Sequence, residues 1–149
     1  MTQYKVLVTT DLTQDSIDHL KNTDGIDVQL VTPKTSNVRD ALKTAHAVIT
    51  RDDLVLDAPL LEHAKELKLI ARMSSGLGGI DVEYATERGI IVMNTPGVSA
   101  IAAAEHTLTL MLALNRNLPA IHDSLREGWW LFDRKQQVGH QLHGKTVGI

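Results

Sequence analysis

Apolar runs of strand length alternate along this chain with stretches where apolar residues recur every three or four positions. Residues 5–9 (KVLVT) are rich in β-branched side chains and predict a first strand. Residues 14–21 predict a helix with Ile17 and Leu20 inward, capped by Asp11 or Thr13. Asp24-Gly25 is a turn pair, and residues 27–32 form the second strand. Asn37 can cap a helix running to Ala45, with Val38, Ala41 and Leu42 on one face. Residues 47–50 are the third strand, and residues 58–66 a helix with Pro59 in its first turn. Residues 69–71 are the fourth strand. Asp81 caps a helix over residues 82–88, Gly89 stops it, and residues 90–93 are the fifth strand. Five strands alternating with four helices before Pro96 predict an open parallel α/β sheet with helices on both faces. The order 2-1-3-4-5 is the flavodoxin-like possibility. Ligands then bind at the carboxyl ends of the strands, where Thr10, Arg51 and residues 74–79 fall.

After Pro96-Gly97 the pattern changes. Residues 98–115 are rich in alanine and leucine, and apolar positions cover nearly the whole helical circumference. Such a helix is buried on several sides, between domains or subunits. His106 on it reads as structural rather than catalytic. Residues 119–128 predict a second, amphipathic helix. Trp129, Trp130 and Phe132 then place three large aromatics in four residues, as an interface anchor or a small satellite core. The expected division is a domain over residues 1–97 and a helical arm with a final strand over residues 98–149.

Composition narrows the chemistry. The 149 residues are 43% hydrophobic and 22% charged, as in an ordinary globular protein. The net charge of −3 and the few aromatics argue against nucleic acid. No stretch is long and apolar enough for a membrane span, and the start MTQYKVLVTTD lacks a signal-peptide core. The absence of cysteine excludes disulfides and thiolate metal sites and fits a cytoplasmic protein.

The chemical feature is the loop Ser74, Ser75, Gly76, Leu77, Gly78, Gly79. Three glycines in four positions let the backbone approach a ligand closely. Successive N–H groups there can converge on a carboxylate or phosphate, and the following helix adds its positive end. The other reading is a tight turn and nothing more. It is not the G-x-G-x-x-G dinucleotide loop, since Asp81 occupies the third glycine's place. Arg51 is the best-placed cation for an acidic ligand, unless Asp52 and Asp53 pair with it at the surface. Residues 139–146 (GHQLHGKT) spell the phosphate-loop pattern, but the residues after it read as a strand, so nucleoside triphosphate binding is not expected. His140 and His143 lack a third ligand, and no metal is expected.

The runs LKLIARMSSGLGGIDVEYATERGIIVMNTPG, AAEHTLTLMLALNRNLP, LREGWW and LHGKTVGI resemble the NAD-dependent D-2-hydroxyacid dehydrogenases, the phosphoglycerate-type members in particular. The resemblance is specific from Leu67 on and weaker before Lys65. It implies a flavodoxin-like substrate domain followed by a Rossmann NAD domain whose first strand is a segment like KTVGI. The family's dinucleotide loop, ribose-binding acid, substrate arginine, glutamate and proton-carrying histidine all lie after that strand. The resemblance therefore assigns this chain no catalytic residue, no cofactor bound by itself and no turnover alone. It implies that amides of Ser75 and Gly76, with Ser74 and Leu77 beside them, hold the substrate carboxylate, and that Arg51 joins the site. Gly78-Gly79 replaces the family's Asp-Asn, which removes side-chain bonds. Asp52 replaces a serine and is expected to point away. Residues 100–116 resemble the interdomain and dimer helix, which implies a homodimer; folding back on the sheet is the other expectation. A free-standing flavodoxin-like module that binds a small anion or a partner is the alternative function.

Overall fold

The computed structural model describes residues 3–32, 37–128 and 138–148. Residues up to Val98 form one compact unit and those from Ser99 a second. In the first, β1 (Tyr4–Val8), β2 (Ile26–Leu30), β3 (Ala47–Thr50), β4 (Leu69–Arg72) and β5 (Ile91–Asn94) make one parallel sheet, in the order β2-β1-β3-β4-β5. The connecting helices are α1 (Gln14–Lys21), α2 (Val38–Leu42), α3 (Ala58–Leu61) and α4 (Val82–Glu87). The expected flavodoxin-like order is therefore the observed one.

The order dictates how the helices divide. A right-handed crossover from β1 to β2 runs opposite to those from β2 onwards, so α1 lies on one face and α2, α3 and α4 on the other. Side chains alternate between faces along each strand. Leu7, Val48, Ile70 and Val92 stand in register and pack with Leu42, Leu61 and Ala85 of the three-helix side, forming the core. On the α1 face, burial fades towards β5, where Ile91 and Met93 are exposed.

Helix ends follow their local chemistry. Thr13, rather than Asp11, caps α1 by accepting from the Ser16 amide. Asn37 sits at the cap of α2, but its side chain donates to the Asp40 carboxylate instead of capping the backbone. Both α2 and α3 are shorter than their patterns predict. Beyond Leu42 and Leu61 the bonds tighten to three-residue spacing, as from Ala64 N to Leu61 O at 3.0 Å. Arg88, at the end of α4, adds a second donor to the carbonyls of Leu61 and Ala64, which already accept from the Ala64 and Leu67 amides.

In the second unit, α5 (Ala100–Asn115) is followed by α6 (Leu118–Arg126). The expected burial of α5 is not seen: Ile101, Leu108, Leu110, Leu112 and Leu114 are all exposed. Thr107 and Thr109 turn their hydroxyls back onto Ala103 and Glu105 carbonyls, so these two hydroxyls are satisfied within the helix. Residues 138–148 contain no strand, contrary to expectation, because a single strand has no neighbour to pair with there. Trp129, Trp130, Phe132 and Ile149 lie outside the described residues.

Candidate functional site

The carboxyl ends of β3, β4 and β5 bring Thr50, Arg72 and Asn94 into one row, in direct register. All three side chains have the parity of the core positions Val48, Ile70 and Val92, so they continue the core face upward into the loops. Thr50 and Arg72 are buried. The loops they support are residues 51–57 and 73–81.

Arg72 is the centre of this arrangement, at only 3% exposure. Nη1 donates to the Arg51 carbonyl and, at 3.4 Å, to the Leu54 carbonyl. Nη2 donates to Asp52 Oδ1 at 2.5 Å and to the Gly78 carbonyl at 2.6 Å. Nε is buried without a partner among the described residues. A buried guanidinium is costly unless its fork is filled, and here two loops fill it. A parallel bridge between Leu56 and Ile80 ties the same loops again: Leu56 N donates to Gly79 O at 2.7 Å and Asp81 N to Leu56 O at 3.0 Å.

The loop itself is sharply polarised. Its six carbonyls all accept within the chain: Ser74 O from Thr95 N, Ser75 O from Asn94 Nδ2, Gly76 O from Ser74 Oγ, Leu77 O from Ile80 N, Gly78 O from Arg72 and Gly79 O from Leu56 N. Among the described residues, none of the six N–H groups from Ser74 to Gly79 donates to a protein acceptor. Ser75, Gly76, Gly78 and Gly79 are exposed, and Ser74 and Leu77 half-buried. Chemically this is a set of amide donors with no internal acceptor, which suits an anion.

The remaining expectations divide. Arg51 is exposed at the end of β3 beside this loop pair, and its side chain has no ion pair among the described residues. The expected pairing of Asp52 with Arg51 is not seen: Asp52 is held on Arg72 with 80% of its side chain exposed. Helix α4, which follows the loop, has six residues, and Asp81 Oδ1 at its N-cap accepts from the Tyr84 amide at 3.0 Å. Thr10 lines a separate crevice of about 390 Å³ with Asp11 and Asp53, which residues 74–79 do not reach; its two carboxylates disfavour an anion. His106 is exposed on α5. Lys145 and Thr146 of the phosphate-loop lookalike lie in irregular backbone with no helix after them among the described residues.

The glycine-rich strand-to-helix loop does not fit the pyrophosphate of a nicotinamide dinucleotide, because it leads into Asp81, a carboxylate where the pyrophosphate would have to approach. No described helix is long and apolar enough to cross a membrane.

Sequence similarity agrees with the geometry. The sequence model of the D-isomer specific 2-hydroxyacid dehydrogenase catalytic domain matches residues 6–146. The D-3-phosphoglycerate dehydrogenase of Archaeoglobus fulgidus is 37% identical over 147 residues, 97% of this chain and 27% of that protein. The hydroxypyruvate reductase of Thermotoga maritima is 35% identical over 149 residues, 100% of this chain and 48% of that one. A crystal structure of D-lactate dehydrogenase from Aquifex aeolicus, complexed with NAD and lactic acid, is similar with a TM-score of 0.77 and 27% identity, covering 92% of this chain and 41% of that one. The chain thus spans about a quarter to a half of the length of these relatives. With its parallel sheet order and its match over residues 6–146, the chain belongs to the D-isomer specific 2-hydroxyacid dehydrogenases.

Proposed function

We propose that this chain is the substrate-binding part of an oxidoreductase that transfers a hydride between NAD and a D-2-hydroxy acid. The observation that carries this reading is the loop whose six carbonyls are tied while its six N–H groups are not. Amides of Ser75, Gly76 and Leu77, with Ser74 beside them, hold the substrate carboxylate by charge-assisted bonds. Arg51 supplies the nearby exposed cation. Holding the carboxylate orients C2, the carbon that gains or loses the hydride. NAD chemistry belongs to the length of the relatives that this chain does not span. The chain alone supplies binding and orientation, and no turnover.

The apolar α5, exposed nearly throughout, needs a covering partner. A second copy of the chain is the reading we adopt for it.

Titration of labelled protein with pyruvate, followed by amide signals, tests the site. A single carboxylate anchor corresponds to a Kd on the order of millimolar. Saturable shifts confined to residues 74–79 and their neighbours are expected. Equal shifts with chloride, or none, would refute the reading. NADH with 2-keto acids should give no turnover from this chain, and turnover above background would refute its assignment as the binding part alone.

A further inference from the structure

We infer that Arg72 is a positioning residue that aims the Gly79 amide of the carboxylate loop. The inference rests on the proposed carboxylate site and names what gives that site its direction. A trans peptide is planar, so the carbonyl of one residue and the N–H of the next point opposite ways. Whatever holds a carbonyl inward therefore turns the following N–H outward. Thr95 N holds Ser74 O and turns out the Ser75 amide. Asn94 Nδ2 holds Ser75 O at 2.8 Å and turns out the Gly76 amide. Arg72 Nη2 holds Gly78 O at 2.6 Å and turns out the Gly79 amide, a further donor to the carboxylate beside the Ser75, Gly76 and Leu77 amides.

Arg72 differs from the other two in reach. Its fork grips Gly78 on one loop and the Arg51 and Leu54 carbonyls and Asp52 on the other. The guanidinium is buried, so its position is set by the core row beneath it and transmitted to an exposed loop. Gly78 has no side chain with which to fix its own peptide, so an outside donor has to do so. A lysine in the same place has one ammonium and cannot span both loops with the same geometry. Asp52 balances the charge and accepts one Nη2 proton, leaving the other for the Gly78 carbonyl.

The test uses labelled whole chain, wild type and Arg72→Lys. The orientation of the Gly79 N–H relative to β4 is read from residual dipolar couplings, and affinity from the pyruvate titration. In Arg72→Lys the sheet amides should keep their dispersion while the Gly79 coupling changes. The pyruvate Kd should rise about tenfold, as for one lost charge-assisted bond. An unchanged Gly79 coupling overturns the proposal, whatever the affinity. So does a changed coupling with a Kd within about twofold of wild type. If Arg72→Lys does not fold, a through-bond coupling between Arg72 Nη2 and the Gly78 carbonyl in wild type supports the proposal, and its absence overturns it. If wild type shows no pyruvate response, the carboxylate reading fails by itself, and the Gly79 coupling still decides whether Arg72 orients that amide.

Discussion

The loop glycines are not equivalent, and their substitution by alanine separates conformational need from open space. Gly79 has φ +80°, in the left-handed region, whereas Gly76 and Gly78 do not occupy it. A Cβ on Gly79 would meet Arg72 Nη2 at 3.7 Å, Val55 Cγ2 at 3.9 Å and the Leu54 carbonyl at 4.0 Å. These are ordinary contacts, so no steric cost adds to the backbone cost of about 1–2 kcal/mol for an L-residue there. A Cβ on Gly76 or Gly78 meets nothing within 4 Å. Those alanines should be neutral or stabilising by up to about 1 kcal/mol, because they restrict the unfolded chain. In urea unfolding followed by circular dichroism, with m near 2 kcal/mol/M, Gly79→Ala should lower the midpoint by about 0.5–1 M. Gly76→Ala and Gly78→Ala should leave it or raise it slightly. If either destabilises as much as Gly79→Ala, the loop does not have this backbone, and the account of its outward amides falls with it.

Ile70→Ala should cost about 2–5 kcal/mol in the same assay, since Ile70 is fully buried in the middle of the core row; a loss under about 1 kcal/mol would mean that the sheet and helices do not pack there as described. Asp40 should titrate below the ordinary 3.8, chiefly because its carboxylate accepts a hydrogen bond from Lys43, with further help from that residue's charge. Its folded value is depressed, so the interaction is complete above the ordinary value and is lost as pH falls through the lower one; carbon-detected titration of the Asp40 carboxyl that shows no depression would contradict the pair. Leu108→Glu on α5 should abolish concentration-dependent dimerisation in sedimentation while leaving the sheet signals unchanged, and a strictly monomeric wild type at high concentration would refute the second-copy reading.

What the sequence disclosed and what it hid have a common physical cause. Strand and helix positions and the caps at Thr13 and Asp81 were legible because each depends on a few adjacent residues, and the strand order followed from their alternation. The tightening after Leu42 and Leu61 was not, because it depends on burial that only the assembled layer provides, with Arg88 adding a second donor to the Leu61 and Ala64 carbonyls. Arg72 was missed because an arginine after an apolar run looks like the solvated end of a strand. A signal was nevertheless present. Arg72 has the parity of Ile70, two residues earlier, and Thr50 and Asn94 stand two residues after Val48 and Val92. Extending the core-facing alternation by one step at each strand would have placed all three polar side chains on the buried face. A charge in such a position must find partners among the loops above it. The same logic accounts for Asp52, which looked like a surface partner for Arg51 only because Arg51 is its neighbour in sequence. Buried, hydrogen-bonded Arg72 is the stronger competitor, and in satisfying it Asp52 helps hold a cation beneath the loop rather than opposing an anion above it. The site is therefore encoded less by its glycines, which only permit the bend, than by the polar row that caps the core.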